Sequence, residues 1–548
     1  MKRLSWILCL LLTLSLCLNG TALAEVTEAE RLAEVVAAMV LPTPELPLTN
    51  EVVTLSLIYP KTSNHGDFNN LFYLKAVEKL TNVKMEVQGI DSNGWAEKLA
   101  LSFASGDYGE IFLNGVSFSD AATFGQAGML LPMEDLLKKY APNVMKIFDT
   151  LPETRRNVTS SDGHIYMMPA YDGTPRDMLM NGTYDQQIDG DWLKAVGMEA
   201  PTTLDELYAM LKAFKEKDPN GNGQADEIPW SFVYDGNGYN MALGAFGFVN
   251  LRHDIIDGKY VYVPAQDNFY HYLEFMHKLY TEGLVDSSIF TQSNEEYLAK
   301  LSGLNIGYMP NTSATAIGKD KYLNCVSIHP LTSQYNQTPM HPGRAQEVDK
   351  FGMCITDKCS EEKQILAVKL LDYFYSQEGT FLTKCGPEYG AWGDMIDGGY
   401  VRKVAADGSV SYELVYDKDK YDNSYYNFRI ANALMNMPFF YTTAHAQVII
   451  GGDAVNNHLT EMVKESGMLA ARRVGYPQMV TFTEDEQDIL ASYTLMDSYV
   501  DQMVAKFITG ETELTDESWK SYKDSIEMMD LNALIEVRQA AYDRWNSK

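Results

Sequence analysis

Oxygen-bearing side chains recur at short intervals between residues 218 and 229. Asp218, Asn220 and Asn222 alternate with other residues, and the acids Asp226 and Glu227 follow them. Ca²⁺ binds about six to eight oxygen ligands, and a tight loop supplies them when nearly every second residue carries one. The first half of the stretch matches the EF-hand pattern D-x-[DN]-x-[DN]-G. The stretch therefore predicts a calcium site whose ligands are Asp218, Asn220, Asn222, Gln224, Asp226 and Glu227.

The second half of this stretch departs from an EF-hand. Pro229 stands at the twelfth position, where an EF-hand has a bidentate Glu, and Glu227 is the carboxylate that can replace it. The alternative is an Asx-rich turn between two elements, but so dense a set of oxygen side chains favours the metal. We expect a structural clasp that ties a helix over 203–217 to a strand over 228–234, remote from ligand chemistry.

A second group of residues has the chemistry of sugar binding. Pockets of this kind combine large apolar faces, on which sugar rings stack, with a few polar groups that bind hydroxyls. Aromatic residues cluster near predicted strand ends, and Arg176 and Arg429 are candidate hydrogen-bond donors. The alternative for each aromatic residue is packing in the core. The candidate sugar contacts are Asn114, Tyr171, Arg176, Trp230, Tyr239, Tyr389, Trp392, Arg429 and Tyr441.

The sequence lacks the short motifs that would indicate a hydrolase. It contains neither G-x-S-x-G nor H-E-x-x-H, and its nine His residues are scattered. Of the six Cys residues, Cys9 and Cys17 lie in the N-terminal segment over 1–24. The other four have neither the spacing of zinc ligands nor the density of a disulfide framework. We therefore expect a protein that is not an enzyme.

Composition excludes some partners. With 548 residues the chain is long enough for about two to four structural units. Its net charge of −30 leaves no basic footprint of the kind that nucleic-acid-binding proteins carry. An anionic small ligand is not excluded, but it would need local Arg or Lys side chains.

The N-terminus has the features of a secretory signal peptide. Lys2-Arg3 precedes an apolar run over 4–18, and Ala22-Leu23-Ala24 forms a small-x-small cleavage site. We expect cleavage after Ala24, export from the cell, and a tether over 25–50. Lipidation at Cys17 is the alternative, although the large Leu16 occupies the position where a lipoprotein signal has a small residue.

Strand and helix patterns alternate along the first third of the chain. The patterns predict strands over 52–59, 83–87, 110–114 and 163–170, with helices over 70–80 and 95–104 between the first three. This alternation is typical of an α/β unit with a parallel sheet. Further patterns predict helices over 203–217, 268–282 and 364–376, strands over 306–309 and 326–331, a hairpin over 401–416, and helices from 487 to 545.

Several stretches resemble one protein family. They are Trp95–Leu99 with Ala104–Asp107, Gly163–Pro169, Asp191–Leu193 with Pro201–Leu207 running into the loop at Asp218, Phe507–Gly510, and Gln539–Arg544. On these residues the chain is similar to extracellular solute-binding proteins of family 1, which serve carbohydrate ABC importers. The likeness is to the LipO-like branch and to the alginate-oligosaccharide-binding proteins, and it covers nearly all of residues 50–545.

The resemblance implies an α/β fold of the periplasmic-binding-protein type II, with two lobes joined by hinge strands and a ligand cleft between them. It implies one lobe from 50–168 plus 322–378 and a second from 169–321 plus 379–548. It also implies an oligosaccharide ligand, ABC permease subunits as partners, a monomeric state and a structural Ca²⁺ on the loop at Asp218. Gly190 stands where the family often has a basic residue.

Three functions stay open at this point. The first is a receptor that captures an oligosaccharide and delivers it to a permease. The second is a secreted polysaccharide-active enzyme, and the third is a ligand sensor for a membrane kinase. The missing nucleophile and metal-catalysis motifs favour the receptor over the enzyme.

Overall fold

The computed structural model describes most of the chain after the leader. The described residues are 34–548 except for 37, 63–64, 173–185, 235–240, 311, 344–347, 397, 407, 409, 422–424, 435–436, 443–444, 446–447 and 449–453. Among them, no helix combines the length and the apolar character needed to cross a bilayer. The predicted signal peptide and residues 25–33 of the predicted tether lie outside the described residues.

Sixteen strands lie within the described residues. In chain order they are β1 (Val53–Lys61), β2 (Val83–Asp91), β3 (Ile111–Phe112), β4 (Met168–Asp172), β5 (Gln186–Ile188), β6 (Ile228–Trp230), β7 (His253–Ile256), β8 (Lys259–Tyr262), β9 (Ile306–Pro310), β10 (Val326–Ser327), β11 (His341–Gly343), β12 (Val348–Ile355), β13 (Gly399–Val404), β14 (Val410–Val415), β15 (Phe440–Tyr441) and β16 (Arg472–Val474). The hairpin β13–β14 matches the one that the sequence predicts.

Ten of these strands form the two larger sheets. The first has the order β15-β4-β12-β3-β1-β2, and the second has the order β10-β5-β9-β6. In the first sheet β1 runs parallel to β2 and β3, whereas β12 is antiparallel to β3 and β4. The chain passes from the first sheet to the second between the end of β4 at Asp172 and the start of β5 at Gln186.

Helices cover both sheets. In chain order the α-helices are Phe72–Thr81, Trp95–Ser105, Phe118–Gln126, Glu134–Tyr140, Pro142–Thr150, Pro152–Val158, Gly190–Val196, Leu204–Glu216, Met241–Gly244, Asp267–Thr281, Asn294–Ser302, Ala314–Ile317, Lys319–Tyr322, Glu361–Tyr375, Gln377–Thr380, Tyr425–Asn432, Ala454–Glu465, Glu484–Ala491, Thr494–Thr509, Asp516–Met528 and Leu531–Asn546. A π-helical turn, Phe381–Cys385, follows Gln377–Thr380 directly.

Each sheet has its own hydrophobic core, and we call the two units the first and second lobes. Leu57, Ile111 and Phe374 are buried in the first core, and Leu211 and Tyr308 are buried in the second. Burial of apolar surface on this scale is the main force that holds each unit together. The two cores are separate, as a two-lobed α/β protein requires.

The cores differ from the expected lobe boundaries at two places. We expected 322–378 in the first lobe, but Tyr322, Cys325 and Leu331 pack in the second core. Conversely, Met437 and Phe440 pack in the first core, although we expected 379–548 in the second lobe. The reason is strand pairing: β10 pairs with β5 of the second sheet, and β15 pairs with β4 of the first. The remaining boundaries stay predictions.

Candidate functional site

The loop at Asp218 begins where the helix Leu204–Glu216 ends. Thr203 caps that helix at its N-terminus by accepting a hydrogen bond from the backbone N–H of Glu206. Asp218 follows with a positive φ of 47°, and Gly221 and Gly223 also have positive φ. Glycine adopts this conformation without a steric penalty. The three left-handed residues curl the chain so that the side chains between them face inward.

Backbone N–H groups of the loop donate to its own side-chain oxygens. Asp218 accepts from the N–H of Asn222 at 3.1 Å and from the N–H of Gly223 at 3.0 Å. Asn220 Oδ1 accepts from Asn222 N at 2.9 Å, and Asn222 Oδ1 accepts from Gln224 N at 2.7 Å. These bonds fix the positions of the oxygens that the sequence predicts as ligands.

The acids of the second half join the same cluster. Asp226 accepts from the side-chain amides of Asn220 at 3.2 Å and Asn222 at 3.0 Å. Burial, then the charges of Asp218 and Asp226, raises the pKa of Glu227, whose Oε1 is buried without a hydrogen-bond partner among the described residues. A cation at this point would remove both penalties, because it would pair with the orphaned oxygen and with the neighbouring carboxylates.

An all-oxygen donor set is the set that Ca²⁺ prefers, so the residues present fit that ion. Among the described residues no group of three or more His, Cys, Asp or Glu side chains is arranged to hold a metal. The fit therefore depends on the Asn oxygens and on backbone carbonyls besides the acids. Gln224 is exposed at the tip of the loop, as a residue that contributes only its carbonyl can be.

The candidate sugar contacts do not form one cluster. Tyr171 is 1% exposed and stacks on Phe440 with ring centroids 4.5 Å apart. Trp230 is fully buried and stacks on Tyr308 at 5.0 Å. Both rings belong to the cores of their lobes, so packing is the role that the geometry supports for them, and sugar contact by either one stays a prediction.

Other candidates lie in different surroundings. Trp392 packs edge-on against Phe72, beneath the ammonium of Lys79 at 5.0 Å. Tyr389 is half-exposed, and the side chain of Asn114 accepts a hydrogen bond from the N–H of Gly115 at 2.7 Å. Arg176 and Tyr239 lie outside the described residues. These positions neither confirm nor contradict a role in binding.

Tyr441 lies at the edge of the first sheet, and Arg429 lies on a helix that precedes this strand in the chain. Tyr441 ends β15 and pairs with Asp172, the last residue of β4 before the crossing. Arg429 belongs to the helix Tyr425–Asn432, which precedes β15, and it is 9% exposed. Its Nε atom is buried and has no hydrogen-bond partner among the described residues. The Nε1 atom of Trp230 is likewise buried without a hydrogen-bond partner among the described residues.

The second sheet offers polar groups that the sequence did not reveal. Gln187 on β5 lies opposite Ser327 on β10. The Gln187 amide and the Ser327 hydroxyl are both buried without hydrogen-bond partners among the described residues. Gln187 lies two residues beyond the segment that joins the lobes. No sequence pattern marks it, because β5 and β10 are too short to show a period.

Two α/β lobes with separate cores, joined by a chain crossing, are the architecture of a two-lobed binding protein. The model of the family described as bacterial extracellular solute-binding protein matches residues 66–381. The chain belongs to that family, which consists of binding proteins, and the resemblance seen in the sequence is confirmed.

Two relatives and one solved structure illustrate the match. The fructooligosaccharide ABC transporter substrate-binding protein FusA of Streptococcus pneumoniae serotype 4 is 28% identical over 510 residues, which cover 88% of each chain. Lipoprotein LipO of Bacillus subtilis is 27% identical over 44% of this chain and 47% of its own length. A solved structure of an S. pneumoniae FusA EF-hand mutant in complex with fructo-nystose has a TM-score of 0.70 and 25% identity, covering 90% of this chain and 100% of that one.

Proposed function

We propose that this protein captures an oligosaccharide outside the cytoplasmic membrane and delivers it to the permease subunits of an ABC importer. The observation that carries the proposal is the match to FusA along 88% of both chains, since a match of this extent spans both lobes and the crossing between them. The predicted signal peptide, cleaved after Ala24, agrees with a task outside the cell.

The ligand would lie between the lobes. Proteins of this architecture close around a ligand by a hinge motion of one lobe against the other. The crossing between Asp172 and Gln186 is the place where such a hinge would act. Buried polar groups that have no partner in the protein, such as the Gln187 amide, are suited to receive sugar hydroxyls, because a ligand would satisfy them.

Ca²⁺ would have a structural task in this function. The oxygen cluster from Asp218 to Glu227 would bind it, as the EF-hand of FusA suggests for a relative, and would tie the helix Leu204–Glu216 to β6. The protein would act as a monomer and without catalysis, since capture and delivery need neither a second copy nor a reaction.

The direct test is isothermal titration of the purified mature protein with a panel of oligosaccharides, beginning with fructo-nystose. We expect saturable binding of at least one oligosaccharide and no change in that ligand after long incubation, measured by chromatography. Turnover of the ligand would overturn the receptor in favour of a polysaccharide-active enzyme. Failure of every oligosaccharide to bind would overturn the proposal altogether.

A further inference from the structure

The helix Leu531–Asn546 belongs to the second lobe. Leu531 and Leu534 are buried in the second core. Gln539, further along the helix, accepts a hydrogen bond from the backbone N–H of Tyr260 at 2.7 Å and so ties the helix to the hairpin β7–β8. The helix is therefore attached to the second lobe along most of its length.

The far end of this helix reaches the first lobe. Trp545 is 5% exposed, and the guanidinium of Arg156 lies 4.3 Å from its ring centre, which is an attractive cation–π contact. Beyond the helix, Lys548 Nζ donates to the backbone carbonyls of Thr159 and Ser160, each at 2.6 Å. All three partners lie in the segment that builds the first core.

The segment that precedes these C-terminal helices also contacts the first lobe. Met479 is buried in the first core, and the carbonyl of Phe482 accepts a hydrogen bond from the hydroxyl of Ser161 at 3.2 Å. Thr123 Oγ1 donates to Gln487 Oε1 at 3.3 Å. We call residues 479–487, Trp545 and Lys548, together with their partners in the first lobe, the second interlobe contact.

The two parts of this contact are joined to each other. Arg544 Nη2 lies 2.6 Å from Glu486 Oε2, so an ion pair ties the segment to the helix. Val480 packs with Ala541 and Trp545 in a small buried cluster. The contact therefore acts as one unit when the lobes move.

The second interlobe contact and the chain crossing lie at opposite ends of β4. Ser160 and Ser161 precede this strand, whereas the crossing begins after its last residue, Asp172. The strand has five residues, so it separates the two attachments by about 15 Å. A rotation of one lobe about the crossing must therefore displace the second contact.

The direction of this displacement follows from the sheet. β4 points the same way as β3, because both are antiparallel to β12. Ligands of open α/β sheets bind outside the carboxyl ends of the strands. A rotation that brings the lobes together at that edge draws them apart at the amino end of β4, where the second contact lies.

We propose that the second interlobe contact is a latch that opposes closure of the lobes around a ligand. The inference rests on the proposed function, because it concerns the hinge motion of a receptor. Closure has to break the hydrogen bonds of Lys548 and separate Arg156 from Trp545, so part of the binding free energy offsets the loss of these contacts. The same contacts favour reopening, which the delivery of a ligand requires.

The first test follows the distance between the lobes without any ligand. Leu101→Cys and Met528→Cys place labels for single-molecule energy transfer at exposed positions of the first and second lobes, and the four native thiols after the signal peptide are buried. We expect Lys548→Met, which removes two hydrogen bonds of the latch, to shift the distance distribution. Lys98→Met is the matched control, because Lys98 Nζ also donates to two backbone carbonyls but within the first lobe.

The second test measures the affinity for fructo-nystose by calorimetry. Lys548→Met should tighten binding roughly threefold to tenfold, because closure no longer breaks its hydrogen bonds, and Lys98→Met should leave the Kd unchanged. Thr123→Cys and Gln487→Cys, joined by a reducible bifunctional maleimide, fix the latch. We expect this cross-link to weaken binding at least tenfold and its reduction to restore the affinity. Unchanged or weaker binding by Lys548→Met would overturn the latch.

The outcomes separate the latch from the function on which it rests. If wild type binds fructo-nystose and Lys548→Met changes neither the distance distribution nor the Kd, the latch is refuted and the receptor stands. If no oligosaccharide binds, the receptor is refuted, and the ligand-free distances alone decide whether the contact holds the lobes. A much lower Tm of Lys548→Met than of Lys98→Met would make the contact a structural brace and overturn its role as a latch.

Discussion

Asp372 and Arg429 are both buried charged residues, and their surroundings differ. Asp372, which is 2% exposed, accepts hydrogen bonds from the backbone N–H groups of Asn143 at 2.8 Å and Val144 at 3.1 Å, and from the Asn143 side chain at 3.1 Å. The Nε of Arg429 has no hydrogen-bond partner among the described residues. The difference separates a charge whose contacts hold the fold together from one for which the described residues supply no such contacts.

Contacts within the protein compensate the buried carboxylate of Asp372. Asn143 and Val144 belong to the first turn of the helix Pro142–Thr150, whose N–H groups have no partner inside the helix. Asp372 comes from the helix Glu361–Tyr375 and supplies the missing acceptor. One carboxylate thereby ties two helices of the first core together. Among the described residues, no comparable set of side-chain contacts surrounds Arg429.

Removal of the satisfied charge should have the largest effect. Asp372→Ala leaves the two buried N–H groups of Asn143 and Val144 without acceptors, whereas the Asn143 side-chain amide keeps the carbonyl of Pro42 at 2.9 Å. Each orphaned group costs about 1 to 3 kcal/mol. We expect the free energy of unfolding to fall by about 4 kcal/mol, measured by urea denaturation at about pH 5. Asp149→Ala, at an exposed position of the helix Pro142–Thr150, should change it by less than about 0.5 kcal/mol. Equal effects of the two changes would contradict the structural role of Asp372.

The pH dependence should identify the same group. Burial raises the pKa of Asp372 to about 6, despite the N–H donors of Val144 and Asn143. Because the folded value lies above the ordinary value of 3.8, the protonated acid favours folding, and this contribution is complete at low pH and lost as pH rises through about 6.

The isosteric variant Asp372→Asn cannot titrate, so it should lack this loss. The shift of about two pKa units corresponds to about 3 kcal/mol, and the unfolding free energy of the variant should gain about that much relative to wild type between about pH 3 and pH 7. Denaturation curves at a series of pH values measure the difference. A constant difference across this range would show that the carboxyl group does not titrate as the burial implies.

The loop at Asp218 is an intermediate case, because its carboxylates have partners but Glu227 keeps an orphaned oxygen. If Ca²⁺ completes the loop, a concentration of a hundred times its Kd stabilises the folded protein by about 2.7 kcal/mol. We expect EDTA to lower the Tm and calcium to restore it, with the Kd for the oligosaccharide unchanged. Loss of sugar binding on chelation without loss of stability would move the loop into the ligand site.

The sequence was sufficient to predict features whose interacting residues are close together along the chain. The loop ligands lie within ten residues, so their types and spacing predict the oxygen cluster that the structure assembles. Long periodic elements such as the helices Leu204–Glu216 and Glu361–Tyr375 were predicted within a few residues, and the first three strands were also found. The predicted strand over 228–234 is shorter, Ile228–Trp230, because the chain leaves the sheet after Trp230.

The sequence was insufficient to predict contacts between residues that are far apart along the chain. Asp372 lies 229 residues from Asn143, and no local pattern connects them. The residues Gln187 and Ser327 become neighbours only through the pairing of two very short strands. Aromatic residues such as Trp230 have the same composition signal whether they stack on a sugar or on Tyr308, so tertiary packing alone distinguishes these roles.

The smallest effect has the opposite sign and tests the comparison most sharply. In the absence of ligand, Arg429→Gln removes a guanidinium whose Nε is buried without a hydrogen-bond partner among the described residues. The cost of that unpaired atom disappears, while no described side-chain hydrogen bond or ion pair is lost. We expect the unfolding free energy to stay constant or to rise by about 1 kcal/mol, measured by urea denaturation of the ligand-free protein. A fall of several kcal/mol, like that of Asp372→Ala, would mean that Arg429 is a structural residue and that the two charges differ less than their hydrogen bonds suggest.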